Sequence, residues 1–199
     1  AGIGELAEKM ADVYFEIPKD VRNKGLKITV STSILVPKPF TPFQWAPMAR
    51  PEIVDERIKA VRGAIKSRSI VYNYHEQETS FMEAVFARGD RRTCDVLIKA
   101  FEKGAKFDGW SEYFNMEIWN EAMEECNLDS EFYVYREREY DEILPWDFID
   151  IGVNRKYMER ENEKAKKAEL TKNCLEGCTG CGINVNFKEG KCFEGAIRN

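Results

Sequence analysis

The sequence predicts an α/β fold that is predominantly helical with few strands. Apolar residues recur at helical spacing over most of the chain. A clear two-residue alternation occurs once, over 26–36, and a shorter strand-like run follows at 69–74. Gly, Pro and capping residues separate these segments. With 199 residues, 43% hydrophobic and 33% charged, the chain is long enough to build a core beneath a heavily charged surface.

The first helix is expected over 3–23, where Leu6, Ala7, Met10, Val13, Tyr14 and Ile17 share helical spacing. Pro18 kinks or divides it. In the strand over 26–36, Leu26, Ile28, Val30, Ile34 and Val36 share one face. Lys27, Thr29, Ser31 and Ser33 occupy the other, which is mostly small and polar. Pro37, Pro39, Pro42 and Pro47 then make 37–50 a stiff loop. Pro51 suits the first turn of the next helix, with Ile53, Ile58, Val61 and Ile65 as its apolar positions. A second strand is expected over 69–74.

Ser80 and Glu83 read as a capping box for a short helix ending near Arg88-Gly89. Asp90 is a cap for a helix carrying Cys94, Leu97, Ile98 and Phe101 inward, stopping near Gly104. Ser111 is a cap for the next, with Phe114, Ile118, Trp119, Ala122 and Met123 on one stripe. Residues 129–138 are expected as a short helix and 141–152 as a loop or short strand. Asn154 caps a polar helix over 154–168, supported by the Glu163–Lys167 pair. Trp110 and Trp146 are expected as packing anchors.

The net charge is −5 with both signs interspersed, which argues against nucleic acid or an anionic membrane as the main partner. No apolar run approaches the roughly 20 residues of a bilayer span, and no signal-peptide pattern is present. A cytoplasmic protein is expected. Ala1-Gly2-Ile3-Gly4 leads straight into helical spacing without an initiator Met or cap. That reads as a piece of a longer protein, the plainer account being a trimmed Met or a tag scar.

Four of the six cysteines fall in the last 26 residues. Cys174, Cys178 and Cys181 follow a C-x3-C-x2-C spacing, and Cys192 supplies a fourth thiol after an expected hairpin over 183–191. Thiolates on one centre must converge at metal–sulfur distances of about 2.3 Å. Gly177, Gly180 and Gly182 give the loop the tight backbone this requires, and their N–H groups can point at sulfur. Four thiolates suit zinc or an iron–sulfur cluster, and spacing does not choose between them. Free or disulfide-linked cysteines and a catalytic thiol are the competing readings.

Other polar residues carry two readings each. His75 ends the second strand, facing the same way as Val71 and Asn73, as a structural histidine or a proton-transfer group. Arg88, Arg91 and Arg92 surround Gly89-Asp90, as a site for an anionic substrate group or as a capped helix corner with exposed arginines. Lys38 and Gln44, on the rigid proline loop, are candidates for ligand contact.

Val36-Pro-Lys-Pro-Phe-Thr-Pro-Phe-Gln-Trp45 closely resembles a segment of radical S-adenosylmethionine (SAM) enzymes that carry a cobalamin-binding-type domain upstream. Tyr72-Asn-Tyr-His75, the run Ser80 to Arg92, Phe107-Asp-Gly-Trp110, Leu144-Pro-Trp146, Asp150-Ile-Gly-Val153 and the terminal cysteine motif are similar to the same branch. The resemblance spans about residues 26–182 and implies the C-terminal fragment of a partial (β/α)6 barrel. The strand at 26–36 would be its last barrel strand, with Ser31 and Ser33 facing the lumen and its cofactor. Residues 1–67 would end the barrel, 68–168 form a helical extension, and 169–199 a cysteine-rich tail. It further implies SAM and a [4Fe-4S] cluster in the full-length protein, cobalamin as a possible further cofactor, and the missing N-terminal part as partner. It does not identify a substrate. The family's SAM-cluster motif lies near the first barrel strand, and one βα repeat takes about 30 residues, so that strand lies outside this chain. Cys174, Cys178 and Cys181 share the motif's spacing at the opposite end and are read as a separate terminal site.

Overall fold

In the computed structural model, which describes residues 2–23 and 25–187, the chain is α/β and mostly helical, with eight α-helices and two parallel strands among the described residues. Helix α1 spans Gly2–Glu16 rather than reaching residue 23. Pro18 has no N–H to continue the ladder, and Val21 N and Arg22 N instead turn back onto Pro18 O at 3.2 and 3.0 Å. The side α1 buries is its small one: Gly4, Ala7 and Ala11. A Cβ on Gly4 would sit 2.8 Å from Ala64 Cβ, so glycine permits the close approach to helix α2 (Pro51–Ala64).

Strands β1 (Ile28–Thr32) and β2 (Ile70–Tyr74) pair in parallel, in register from Ile28↔Ile70 to Thr32↔Tyr74. Parallel neighbours need a crossover, and α2 supplies it. The alternation expected over 26–36 holds as a pattern, but the ladder is shorter because β2 offers partners only along Ile70–Tyr74.

Beyond the sheet come α3 (Gln77–Arg88), α4 (Thr93–Glu102), α5 (Met116–Glu125), α6 (Ser130–Val134), α7 (Arg155–Lys166) and α8 (Ile183–Asn186). Several expected caps move. Because α3 starts at Gln77, Ser80 is buried inside it rather than capping it. Asn115, not Ser111, caps α5, accepting from Glu117 N at 2.9 Å. Asp129 caps α6 through Phe132 N at 3.2 Å. Helix α4 buries Thr93, Val96 and Ala100, so Cys94, Leu97, Ile98 and Phe101 face solvent, against expectation. Small side chains let α4 approach α5 closely, which sets the buried stripe one residue off the most apolar one. Trp110 is 63% exposed and does not anchor the core, whereas Trp146 does.

The main core gathers α3 to α6 around Val85, Val96, Trp119 and Val134. A second, formed by Trp45, Leu144, Trp146 and Met158, ties α7 to a 3-10 turn at Pro42–Trp45. Between the two lies Arg88, with 0% of its surface exposed. Its Nε donates to Tyr133 O at 2.7 Å, Nη1 to Ala46 O at 2.8 Å and Gln44 O at 3.3 Å, and Nη2 to Arg136 O at 3.1 Å. Arg138 Nη2 in turn donates to Arg88 O at 2.6 Å. Among the described residues no helix is long and apolar enough to cross a membrane.

Arg88→Met strands these carbonyls without a donor. It should cost about 3–5 kcal/mol of stability in urea unfolding. Arg88→Lys should recover little, because one ammonium cannot reach four carbonyls on two separate segments.

Candidate functional site

The sheet has one face turned to the helices and one left open. Ile28, Val30 and Thr32 are half-buried, while Thr29, Ser31 and Ser33 are exposed. On β2 Val71, Asn73 and Tyr74 are exposed, with His75 directly after; Val71, Asn73 and His75 share one parity. Ser31 lies beside Asn73 in the register. His75 N donates to Thr32 O at 3.2 Å, extending the ladder by one bond and bringing His75 level with Ser33. The structure therefore places Ser31, Ser33 and His75 on one open face, at the C-terminal ends of parallel strands. That is where α/β folds assemble ligand sites. Asn73 joins them, and strand parity alone was enough to find it. Two hydroxyls, an amide and an imidazole can hold a polar ligand by hydrogen bonds.

The proline loop contributes differently from expectation. Lys38 is half-exposed and ion-paired with Glu83. Gln44 is only 2% exposed and serves as an internal strut. Its Oε1 accepts from Trp146 Nε1 at 2.7 Å and from Phe40 N at 3.1 Å, while its Nε2 meets Met158 Sδ at 3.8 Å. The 3-10 turn rotates this side chain inward, away from any ligand on the open face.

The three arginines separate. Arg88 is internal, and burial first, then the neighbouring Arg138 charge, pushes its guanidinium down to about 10. Arg92 grips Asp90 through Nη2–Oδ2 at 2.7 Å and Nε–Oδ1 at 3.0 Å, and Tyr133 OH donates to Asp90 Oδ2 at 2.9 Å. Those bonds, the Arg92 side chain's foremost, hold the Asp90 carboxyl well below the usual carboxylate range. Arg91 remains exposed. Arg88 and Arg92 are thus held by partners within the protein and the three guanidinium groups are not gathered at one point, while α4 has Arg92 rather than the expected Asp90 at its N-cap, without a side-chain cap bond.

In the tail, Cys174 and Cys178 are exposed, Cys181 is half-buried, and all three are free thiols. Cys192 lies outside the described residues. Among the described residues no group of three or more His, Cys, Asp or Glu side chains is gathered to hold a metal ion. The local backbone nevertheless suits sulfur chemistry. Gly180 and Gly182 have φ of +75° and +104°, and Gly180 N–H donates to Cys178 Sγ at 3.4 Å. The expected hairpin begins instead with the short helix α8.

The segment is docked, not loose. Asn154 N donates to Cys181 O at 2.8 Å, Arg160 Nη2 to Thr179 O at 2.7 Å, and Asn186 Nδ2 to Gly152 O at 2.8 Å. Since α7 packs on the Pro42–Trp45 turn, the cysteine loop is tied through α7 to the proline loop.

Compared with protein-family models, curated proteins and solved structures, the chain matches none.

Gln44→Ala should cost about 1–3 kcal/mol by orphaning the Trp146 indole N–H, read as a lower urea midpoint and altered near-ultraviolet circular dichroism of Trp146. Asp90 adds a pH signature. Its folded-state affinity for a proton is reduced relative to the unfolded chain, so its stabilisation is present above about pH 4 and is lost as pH falls below it. The stability gap between the native protein and Asp90→Asn should therefore be wide at neutral pH and narrow in acid, measured by urea unfolding at each pH.

Proposed function

We propose that this chain is the C-terminal part of a radical SAM iron–sulfur enzyme that acts in the cytoplasm on a substrate yet to be identified. The observation that carries the reading is the two-stranded parallel sheet with its polar open face. Parallel sheets are covered on both faces and extended by further strands in almost every fold that uses them. Among the described residues β1 pairs only with β2, and Thr29, Ser31, Ser33, Asn73 and His75 face outward. A barrel whose preceding strands add to the free edge of β1 would turn that face into its lumen. The missing N-terminal part of the same protein is then the partner, carrying the SAM-binding [4Fe-4S] cluster, with cobalamin as a further cofactor upstream.

When bound upstream, the cluster and SAM supply a carbon radical. Within this chain, Ser31, Ser33, Asn73 and His75 would orient the ligand at the lumen by hydrogen bonds. The proline loop, braced by Gln44 and Arg88, would close the same end. Cys174, Cys178, Cys181 and Cys192 would hold a separate iron–sulfur or zinc centre, with Gly180 N–H stabilising the Cys178 sulfur.

The second reading is a non-catalytic metal-binding interaction module. The hydrogen bonds that dock the cysteine loop onto Gly152, Asn154 and Arg160 favour it.

Two measurements separate these readings. The Thr29 and Ser31 amides alternate away from β2, since Ile28 N and Thr32 O are the groups bonded to it. Their hydrogen exchange should slow strongly when the upstream reading frame is expressed with this chain; unchanged exchange removes the barrel. Anaerobic reconstitution with iron and sulfide should give a broad visible absorption that disappears in the Cys174→Ser, Cys178→Ser, Cys181→Ser variant. A colourless protein retaining zinc supports the module.

A further inference from the structure

The crossover helix of a β–α–β unit ordinarily lies flat on its strands and closes the space between them. Helix α2 does not. It leans on α1 at the Gly4–Ala64 contact and buries only Val54 and Val61. Between it and the inner face of the sheet is a cavity of about 480 Å³, open to solvent. A second hollow of about 350 Å³ adjoins it across Ile34, Met48, Ala49 and Val54. Protein interiors are close-packed, and an unfilled gap of this size forfeits dispersion contacts along both walls. The volume falls among those of small-molecule sites, about 300–1,000 Å³.

The chemistry of the walls selects the ligand. Ile34 just beyond β1, Tyr72 of β2 and helix residues Ile53, Val54 and Ile58 make them largely apolar. Thr32 Oγ1 and Tyr72 OH, 2.9 Å apart, bond to each other, leaving little demand for a polar ligand body. Arg57 is the one charged residue among the lining groups; it is exposed at the rim and has no ion pair with a described residue. We infer that the space between α2 and the sheet binds an apolar small molecule bearing one anionic head group, of which a medium-chain carboxylate is the simplest example. Its chain replaces the missing helix–sheet contact, and its head pairs with Arg57. Ser33, just past the end of β1, borders this cavity, whereas Ser31, Asn73 and His75 do not line it, and decanoate binding can be read without a barrel being formed.

Calorimetric titration of the full chain with decanoate tests the assignment. One equivalent should bind saturably. Arg57→Ala should weaken decanoate about tenfold and leave decan-1-ol, which has no charge, unaffected. Ile58→Trp, which fills the cavity, should abolish binding of both with the circular dichroism spectrum unchanged. Phe101→Ser, on the exposed face of α4, should change neither. Absence of decanoate binding overturns the proposal. So does equal loss on Phe101→Ser, which would mean adsorption to the α4 surface. Should Ile58→Trp fail to fold, the contrast between decanoate and decanol in Arg57→Ala decides alone, and equal weakening of the two overturns the proposal.

Discussion

A guanidinium that sees no water is the constraint around which the rest of this structure is arranged. Burying a charge is costly unless each donor finds an acceptor. Arg88 meets that condition with main-chain carbonyls from both sides: Gln44 and Ala46 from the proline loop, Tyr133 and Arg136 from α6 and the segment after it. Carbonyl acceptors neutralise no charge, and the neighbouring Arg136 and Arg138 make matters worse, which is why burial and those cations lower its proton affinity. Arg138 finds part of its own compensation on the Trp146 ring, 5.0 Å from its centroid. Only a planar fork with five donors can span segments so arranged.

That single side chain ties two stretches of the chain together. It holds residues 44–48 alongside 134–138, where Met48 N bonds Val134 O at 3.0 Å and Arg138 N bonds Trp45 O at 2.9 Å. Through Trp45 it also sets the Leu144, Trp146 and Met158 core on which α7 rests. The proline loop leaves β1 at the end where Ser33 and His75 stand, and the cysteine loop is docked to α7. The open sheet face and the cysteine loop are therefore connected through the proline loop and α7, although residues 33 and 181 are far apart in sequence.

Local rules made much of this legible. Alternation over 26–36 gives the sheet its two unlike faces, and the proline spacing gives the stiff loop that follows. The position of His75 relative to Asn73 follows from parity alone. What escaped reading depends on partners distant along the chain. Arg88 sits in Arg-Gly-Asp-Arg-Arg, which locally describes a charged surface corner; its burial is decided by carbonyls 42 to 48 residues away. Gln44 on a proline loop suggests a ligand contact until Trp146, 102 residues on, supplies its donor. In α4 the most apolar stripe and the buried stripe differ by one residue, because close approach to α5 rewards Val96 and Ala100 over bulk. Periodicity reports the first preference and cannot weigh the second.

The distribution of exposed apolar surface carries the last step. Helix α1 turns Gly4, Ala7 and Ala11 inward and leaves Leu6, Met10 and Val13 outward, at 60%, 56% and 63% exposure. A helix at the edge of a finished fold has the opposite polarity, with its large apolar residues buried and its small or charged ones in water. The small side of α1 is needed where it is, since Gly4 admits α2 to van der Waals distance. The large side is left largely uncovered among the described residues. Among the described residues, β1 is paired along one edge alone, with β2. Under the proposed reading, a preceding β–α unit would cover both, with its strand on β1 and its helix against Leu6, Met10 and Val13. The exposed Leu97, Ile98 and Phe101 of α4 lie on the helical extension and call for a different neighbour. Apolar exposure of this kind marks surfaces that function covers. Its division between two regions follows from α1 packing with the sheet while α4 packs with α5 in the main core.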